Sequence, residues 1–274
     1  VKVFVNGALV PEDEAVLPVS DHGLTVGDGL FETMKVVDGV AFALRRHLAR
    51  LARTAAGLGL SPPDERALRA AIESTIEANG AEVGRVRITL TGGAGPAGTS
   101  RGDGPVTVLV QCGPRTDWPP SAAVVTVPWP RNERGVLAGL KTTSYADNVI
   151  AYSYAHDRGG DEALFSNTRD NLCEGTGTNV FVVIDDRLVT PPLAAGCLAG
   201  VTRELLLELG LGIEERDVPM ASLVDVEEAF LTSSTRDVQP IASIDGRTLV
   251  TCGGASTRAA IDAFAALQQR TLDP

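Results

Sequence analysis

Lysine is nearly absent from this chain. Of its 24 basic residues only Lys2, Lys35 and Lys141 are lysines, and the other 21 are arginines. Positive charge is scarce as a whole, because 35 acidic residues leave a formal net charge of −11. That balance argues against a nucleic-acid partner, which requires clustered Lys and Arg to neutralise phosphates. It leaves room for a small anionic ligand, which needs only a few local donors. The four cysteines, Cys112, Cys173, Cys197 and Cys252, form no CxxC pair, and no His stands near them at metal-ligand spacing. They read as buried thiols in a reducing compartment, with no metal site. No apolar run approaches the ~20 residues needed to span a bilayer. The opening VKVFVNG reads as a strand, not as a signal peptide. The expectation is a cytoplasmic protein without a membrane partner.

The chain has 274 residues, 44% of them hydrophobic and 22% charged, so a sizeable core needs no covalent staple. Residues 1–10 and 31–43 read as antiparallel hairpins around Asn6-Gly7 and Asp38-Gly39. Leu44, Leu48, Leu51, Ala55 and Leu58 form one stripe of a helix over 45–59. A second helix is predicted over 64–79, starting at Ser61 or Asp64 and stopping at Gly80. Strands follow at 84–91 and 105–112, separated by the loop GGAGPAGTSRGDG. Beyond them the pattern predicts strands near 122–128, 161–166, 178–184, 187–190, 213–218 and 226–232. Helices are predicted near 147–158, 200–210 and 254–269. No regular βαβ alternation and no internal repeat is present, so the predicted class is α+β. The stretch GPRTDWPPS is the best linker candidate. It suggests a small N-terminal domain over 1–116, a linker over 117–121 and a larger C-terminal domain over 122–274.

Scarcity makes Lys141 conspicuous. A solvated cation here is almost always written as Arg. A lysine that forms a Schiff base cannot be, because guanidinium stays protonated and is a poor nucleophile. Four other polar clusters stand beside turns or helix starts. In RRHLARL, Arg46 and Arg50 share a helical face with His47 beside them. Either this is a solvated face or one Arg reaches inward to a phosphate. In CEGTGTNVFVV, Glu174 precedes a small-residue turn and a buried strand. It is either a turn carboxylate or the partner of a protonated ring nitrogen. In LAGVTRELL, Gly200 and Thr202 stand at a helix start, a capped terminus or an anion site. LTSSTRDVQPI ends a strand in Ser233 and Ser234, whose hydroxyls can also meet a phosphate. Singly these signals are weak. Together they are the parts that a pyridoxal phosphate requires.

At this point the sequence resembles the class IV aminotransferases, the fold-type IV pyridoxal-phosphate enzymes. The matching stretches are DHGLTVGDGLFET, HLARL, LKTTSYADNVIAY, CEGTGTNVFVV, TPPLAAGCLAGVTRELL and FLTSSTRDVQPI, which span nearly the whole chain. The resemblance implies a two-domain α+β fold like that of D-amino acid aminotransferases. It also implies a homodimer with its active site between the domains. It makes Lys141 the catalytic Schiff-base lysine and proton carrier, with a pKa lowered by burial and the cationic ring. Glu174 becomes the carboxylate on the pyridine nitrogen, and Arg50 the phosphate arginine, leaving Arg46 outward. Val201, Thr202, Ser233 and Ser234 become phosphate ligands, and Tyr145 approaches the phenolic oxygen. Phe31 stands where D-amino acid transaminases use a tyrosine.

The implied reaction is amino transfer between a D-amino acid or similar small amine and a 2-keto acid. The alternatives are a 4-amino-4-deoxychorismate lyase and a branched-chain amino acid aminotransferase. The chain lacks the Arg-x-His carboxylate trap of some D-amino acid transaminases. A substrate carboxylate still needs a cation, and Arg87 on RVRITL is the first candidate, with Arg101 and Arg236 behind it.

Overall fold

A computed structural model describes residues 1–274. The chain divides into two compact units. Unit 1 comprises Val1–Thr116, Leu140–Tyr145 and Leu272–Pro274, and unit 2 comprises Asp117–Gly139 and Ala146–Thr271.

Unit 1 holds β1 (Lys2–Val5), β2 (Ala8–Pro11), α1 (His22–Thr25), β3 (Gly29–Val37), β4 (Val40–Ala41), α2 (Leu44–Leu58), α3 (Glu65–Asn79), β5 (Arg85–Thr91) and β6 (Thr107–Gly113). Its six strands form an antiparallel sheet in the order β2-β1-β6-β5-β3-β4. Period-2 alternation on β3 turns Leu30, Met34 and Val36 inward, where they meet Leu44, Leu48, Leu51 and Ala55 of α2. Helix α3 starts where Asp64 accepts a hydrogen bond from the Ala67 amide at 2.9 Å. It stops at Gly80, whose φ of +78° suits a residue without Cβ.

Leu140–Tyr145 enters unit 1 as an extended segment along the end of β3. Phe31 donates its amide to the Lys141 carbonyl at 3.1 Å, and Thr143 donates its amide to the Gly29 carbonyl at 2.8 Å. The Thr143 and Ser144 hydroxyls both donate to the Gly27 carbonyl at 3.0 Å.

Unit 2 holds β7 (Ala122–Thr126), α4 (Ala146–His156), β8 (Glu162–Ser166), β9 (Leu172–Gly175), β10 (Asn179–Ile184), β11 (Arg187–Thr190), α5 (Val201–Glu208), β12 (Glu214–Glu215), β13 (Glu228–Ser233), β14 (Asp237–Ile244), β15 (Arg247–Thr248) and α6 (Ala255–Arg270). Its sheet runs β12-β11-β10-β13-β14-β7-β8-β9, with β15 paired to β14. One cluster of its core is aliphatic, built around Val180, Val182, Leu231, Ile241 and Leu164.

Three strands, β9, β14 and the two-residue β15, are additions to the pattern read from the sequence. β14 is eight residues long and lies inside the sheet. Its Pro240 argues against a central strand on sequence grounds. The proline is tolerated because pairing with β7 begins only at Ile241, one residue beyond it. β9 is short and carries a charged residue, so it shows no hydrophobic run. The expected strand near 213–218 shrinks to two residues. The thiols also differ from expectation. Cys173 and Cys197 are buried, but Cys112 is half-buried and Cys252 is exposed.

Candidate active site

In unit 1 the Lys141 ammonium stands 4.3 Å from the centre of the Phe31 ring. The Lys141 amide donates to the hydroxyl of Thr54 on α2 at 3.4 Å, and Leu140 packs over Gly57. A Cβ at Gly57 would come within 2.9 Å of the Leu140 side chain, so the glycine lets this segment lie against the helix. The Tyr145 ring meets Phe31 edge-on at 5.3 Å. Phe31 itself is buried.

Arg87 completes this group. Thr33 lies opposite Arg87 across the β3–β5 pair, which sets Phe31 diagonally beside it. The guanidinium carbon lies 3.7 Å from the Phe31 ring centre, and Nε donates to Thr89 Oγ1 at 3.2 Å. Burial pulls the Arg87 pKa down. No carboxylate is among the groups that act on it. Arg87 is therefore a half-buried cation without an ion-pair partner.

The other two arginine candidates for a substrate carboxylate are already neutralised. Arg101 donates through Nε and Nη2 to both oxygens of Asp28, at 2.6 and 2.5 Å. Arg236 donates through Nη2 to Glu162 Oε2 at 3.0 Å.

Arg50 is buried on α2 and clamped to Glu32. Its Nε and Nη2 donate to the two Glu32 oxygens at 2.7 Å each, and His47 Nδ1 lies 2.7 Å from Glu32 Oε2. Burial would raise the Glu32 pKa, but the Arg50 charge and hydrogen bonds, helped by His47, outweigh it and hold the carboxyl well below the usual range. Burial, reinforced by Arg50 and Lys141 against the opposing pull of Glu32, holds His47 below its usual value. His47 is thus neutral near pH 7 and donates from Nδ1. Arg46 points elsewhere, with Nε donating to the Pro274 carbonyl at 3.0 Å.

In unit 2, Glu174 sits on β9. Its Oε2 accepts from the Leu198 amide at 2.9 Å, and its Oε1 lies 3.4 Å from Arg131 Nε. Arg131 is held by Asn148, to which Nη1 donates at 3.0 Å, and by the Phe165 ring at 4.2 Å. Val201 and Thr202 open α5 and are both buried. No side chain caps this helix, whose N-cap is Gly200. A Cβ on Gly200 would lie 2.0 Å from Asn179 Oδ1, so only glycine fits. Ser233 ends β13 and Ser234 follows it. Ser233 Oγ accepts from the Arg236 amide at 3.1 Å. Asn179 at the start of β10 pairs with Thr232, which keeps these turns at one end of the sheet.

The structure thus gathers Lys141, Phe31, Tyr145 and Arg87 in unit 1, with Arg50 on the neighbouring helix. It gathers Glu174, Val201, Thr202, Ser233 and Ser234 on strand ends and a helix start of unit 2. The donor set suits a phosphorylated pyridine. An uncapped helix start and serine hydroxyls suit a phosphate, and a carboxylate held ready by an arginine suits a cationic ring nitrogen. Thr178 Oγ1, in the turn after Glu174, is buried without a hydrogen-bond partner, which leaves bonding capacity for a ligand.

Two contributors escaped the sequence reading. Glu32 had a signal, since it is a charged residue at an inward position of the Leu30, Met34, Val36 alternation. Arg131 lies in an irregular segment and had none.

The family description "Amino-transferase class IV" matches residues 29–244. A D-alanine aminotransferase of Bacillus licheniformis is 30% identical over 260 residues, covering 90% of both chains. A Methanocaldococcus jannaschii protein assigned as a branched-chain-amino-acid aminotransferase is 30% identical over 271 residues, covering 90% of this chain and 89% of that one. The branched-chain aminotransferase of Thermoproteus uzoniensis, solved with norvaline, superposes with a TM-score of 0.89 at 29% identity, over 97% of this chain and 94% of that one. A second branched-chain amino acid aminotransferase, from T.th. and solved with N-(5'-phosphopyridoxyl)-L-glutamate, does so with a TM-score of 0.88 at 26% identity, over 98% and 95%. The chain belongs to the class IV aminotransferase family.

Proposed function

We propose that this protein is a pyridoxal-phosphate-dependent transaminase for carboxylate-bearing small amines, with a D-amino acid such as D-alanine as donor and pyruvate or 2-oxoglutarate as acceptor. The observation that carries the reading is Arg87, a cation without a counter-charge that shares the Phe31 ring with Lys141. A half-buried guanidinium in that state is suited to a carboxylate. The 30% identity to a D-alanine aminotransferase supports the donor.

When bound, pyridoxal phosphate supplies an aldehyde that captures amines reversibly and a ring that accepts the electron pair released at the α-carbon. Lys141 Nζ is the residue to hold that aldehyde. Lys141 Nζ would be the base for the substrate's α-proton and the acid that passes that proton on. Glu174 would keep the ring nitrogen protonated. Arg50, the amide of Val201, the Thr202 hydroxyl, Ser233 and Ser234 would hold the phosphate, and Tyr145 would reach the phenolic oxygen. Phe31 would flank the substrate and Arg87 would bind its carboxylate. The protein would work as a homodimer in the cytoplasm. The free thiols suit a reducing compartment. A partner copy would cover the exposed Val16, Val19 and Leu24.

The test is a single-turnover scan of cofactor-loaded protein with D-alanine, L-leucine and aminodeoxychorismate. Conversion of the cofactor to its amine form by D-alanine supports the proposal. Faster conversion by L-leucine would replace the donor, and 4-aminobenzoate release would replace the reaction. Lys141→Ala is expected to lower turnover by about 10³-fold or more.

A further inference from the structure

Glu162 and Arg236 form a buried ion pair that the transaminase reading does not use. Their side chains are 2% and 4% exposed, and a buried pair of this kind stabilises little by itself. Its neighbours matter more. Glu162 Oε1 accepts from the Thr176 amide at 3.0 Å and also from the Thr176 hydroxyl. Thr176 lies two residues after Glu174. Its carbonyl accepts from Asn148 Nδ2, and Asn148 Oδ1 accepts from Arg131 Nη1 at 3.0 Å. Arg131 in turn flanks Glu174.

On the other side, Arg236 belongs to the turn that carries Ser233 and Ser234. Its amide donates to Ser233 Oγ at 3.1 Å, and its Nη1 donates to Gln239 Oε1 at 2.7 Å. Its guanidinium lies 3.7 Å from the Trp118 ring, and Gln239 Nε2 donates to the Pro119 carbonyl at 2.7 Å. One chain of polar contacts therefore runs within unit 2 from Glu174 through Arg131, Asn148, Thr176, Glu162 and Arg236 to Ser233.

We propose that Arg236 and Glu162 are positioning residues that hold the Ser233–Ser234 turn and the Glu174 turn in one fixed relation, and so set the affinity for the cofactor's phosphate. The inference rests on the cofactor reading given above. It assigns neither residue a contact with substrate. A guanidinium that spans an acceptor on each side and stacks on an indole fixes its turn in a way that an ammonium cannot. Loss of the span frees the serine hydroxyls to leave the geometry that a phosphate requires.

The experiment is a titration of apo-protein with pyridoxal phosphate, reading the dissociation constant and the phosphorus resonance of the bound phosphate. Arg236→Gln and Glu162→Gln are each expected to raise the dissociation constant roughly 10- to 100-fold and to shift the resonance, as loss of outer-shell partners does at other bound groups. Arg236→Lys, which keeps the charge, should restore part of the affinity. Folded variants with parental affinity and an unmoved resonance overturn the inference while leaving the cofactor reading intact. A parent protein that binds no pyridoxal phosphate overturns both. Should Arg236→Gln fail to fold, Glu162→Gln decides on the same readouts, because its amide still fills the site and accepts from Thr176.

Discussion

Arg50 grips Glu32 with two parallel hydrogen bonds of 2.7 Å, and the carboxylate it grips is wholly buried. The pair binds β3 to α2 in unit 1, and His47 shares the same carboxylate. This geometry has a cost and a use. Two charges leave water, and the bidentate pairing, with His47 on the same carboxylate, offsets that cost. The use is that the Arg50 guanidinium plane is locked before any ligand arrives, which is how a bidentate carboxylate pair orients an arginine.

Glu32→Gln removes the negative member and leaves Arg50 buried without its counter-charge. The expected loss of stability is about 3–5 kcal/mol, read by denaturant unfolding. The pH dependence has a defined sign. The folded-state pKa of Glu32 is depressed, so its contribution is complete above the unfolded carboxyl value of ~4.3 and is lost as pH falls from there through the folded value. The parent should therefore lose stability on acidification more steeply than the variant. Parallel acid limbs would show that Glu32 does not report on folding.

Arg87→Met should discriminate between substrates. An amino acid is expected to lose roughly 10- to 100-fold in kcat/KM, the worth of about 1.5–3 kcal/mol for a hydrogen-bonded ion pair. An amine without a carboxylate should lose far less. Equal losses for both would mean that Arg87 serves the Phe31 packing and not the carboxylate.

Gly200→Ala should be destabilising beyond the usual cost of alanine at an N-cap. The new Cβ would fall 2.0 Å from Asn179 Oδ1. That oxygen cannot retreat freely, because Asn179 Nδ2 is held by the Leu198 carbonyl at 2.9 Å. A loss of about 1–3 kcal/mol is expected from the overpacking, measured by thermal or chemical unfolding. Cofactor affinity should fall with it, since the clash lies at the start of α5. A neutral substitution would show that this helix start is free to shift.

The thiols should separate in a native labelling experiment. Cys252 is exposed and is expected to react promptly with a thiol reagent. Burial pushes Cys112 up to about 11 and Cys197 up to about 12, and it raises Cys173 further, so thiolate is scarce at all three. One equivalent should label fast and three only on unfolding. Rapid labelling of Cys173 or Cys197 would reveal opening of unit 2 around Glu174.

What could be read from the chain alone was whatever depends on near neighbours. The stripe of Leu44, Leu48, Leu51 and Ala55 announces α2, and Asp64 and Gly80 bracket α3, because caps and periodicity act within a few residues. Lys141 stood out because lysine is so rare here. Pro240 hid β14, since a local rule against proline in a central strand cannot know that pairing on one side starts a residue later. The arginines mark the other limit. Arg87, Arg101 and Arg236 are alike as letters. Which of them keeps its charge unpaired depends on Asp28, 73 positions from Arg101, and on Glu162, 74 positions from Arg236. Only the folded chain brings those carboxylates to their partners, because an ion pair is a matter of a few ångströms in space and not of distance along the sequence.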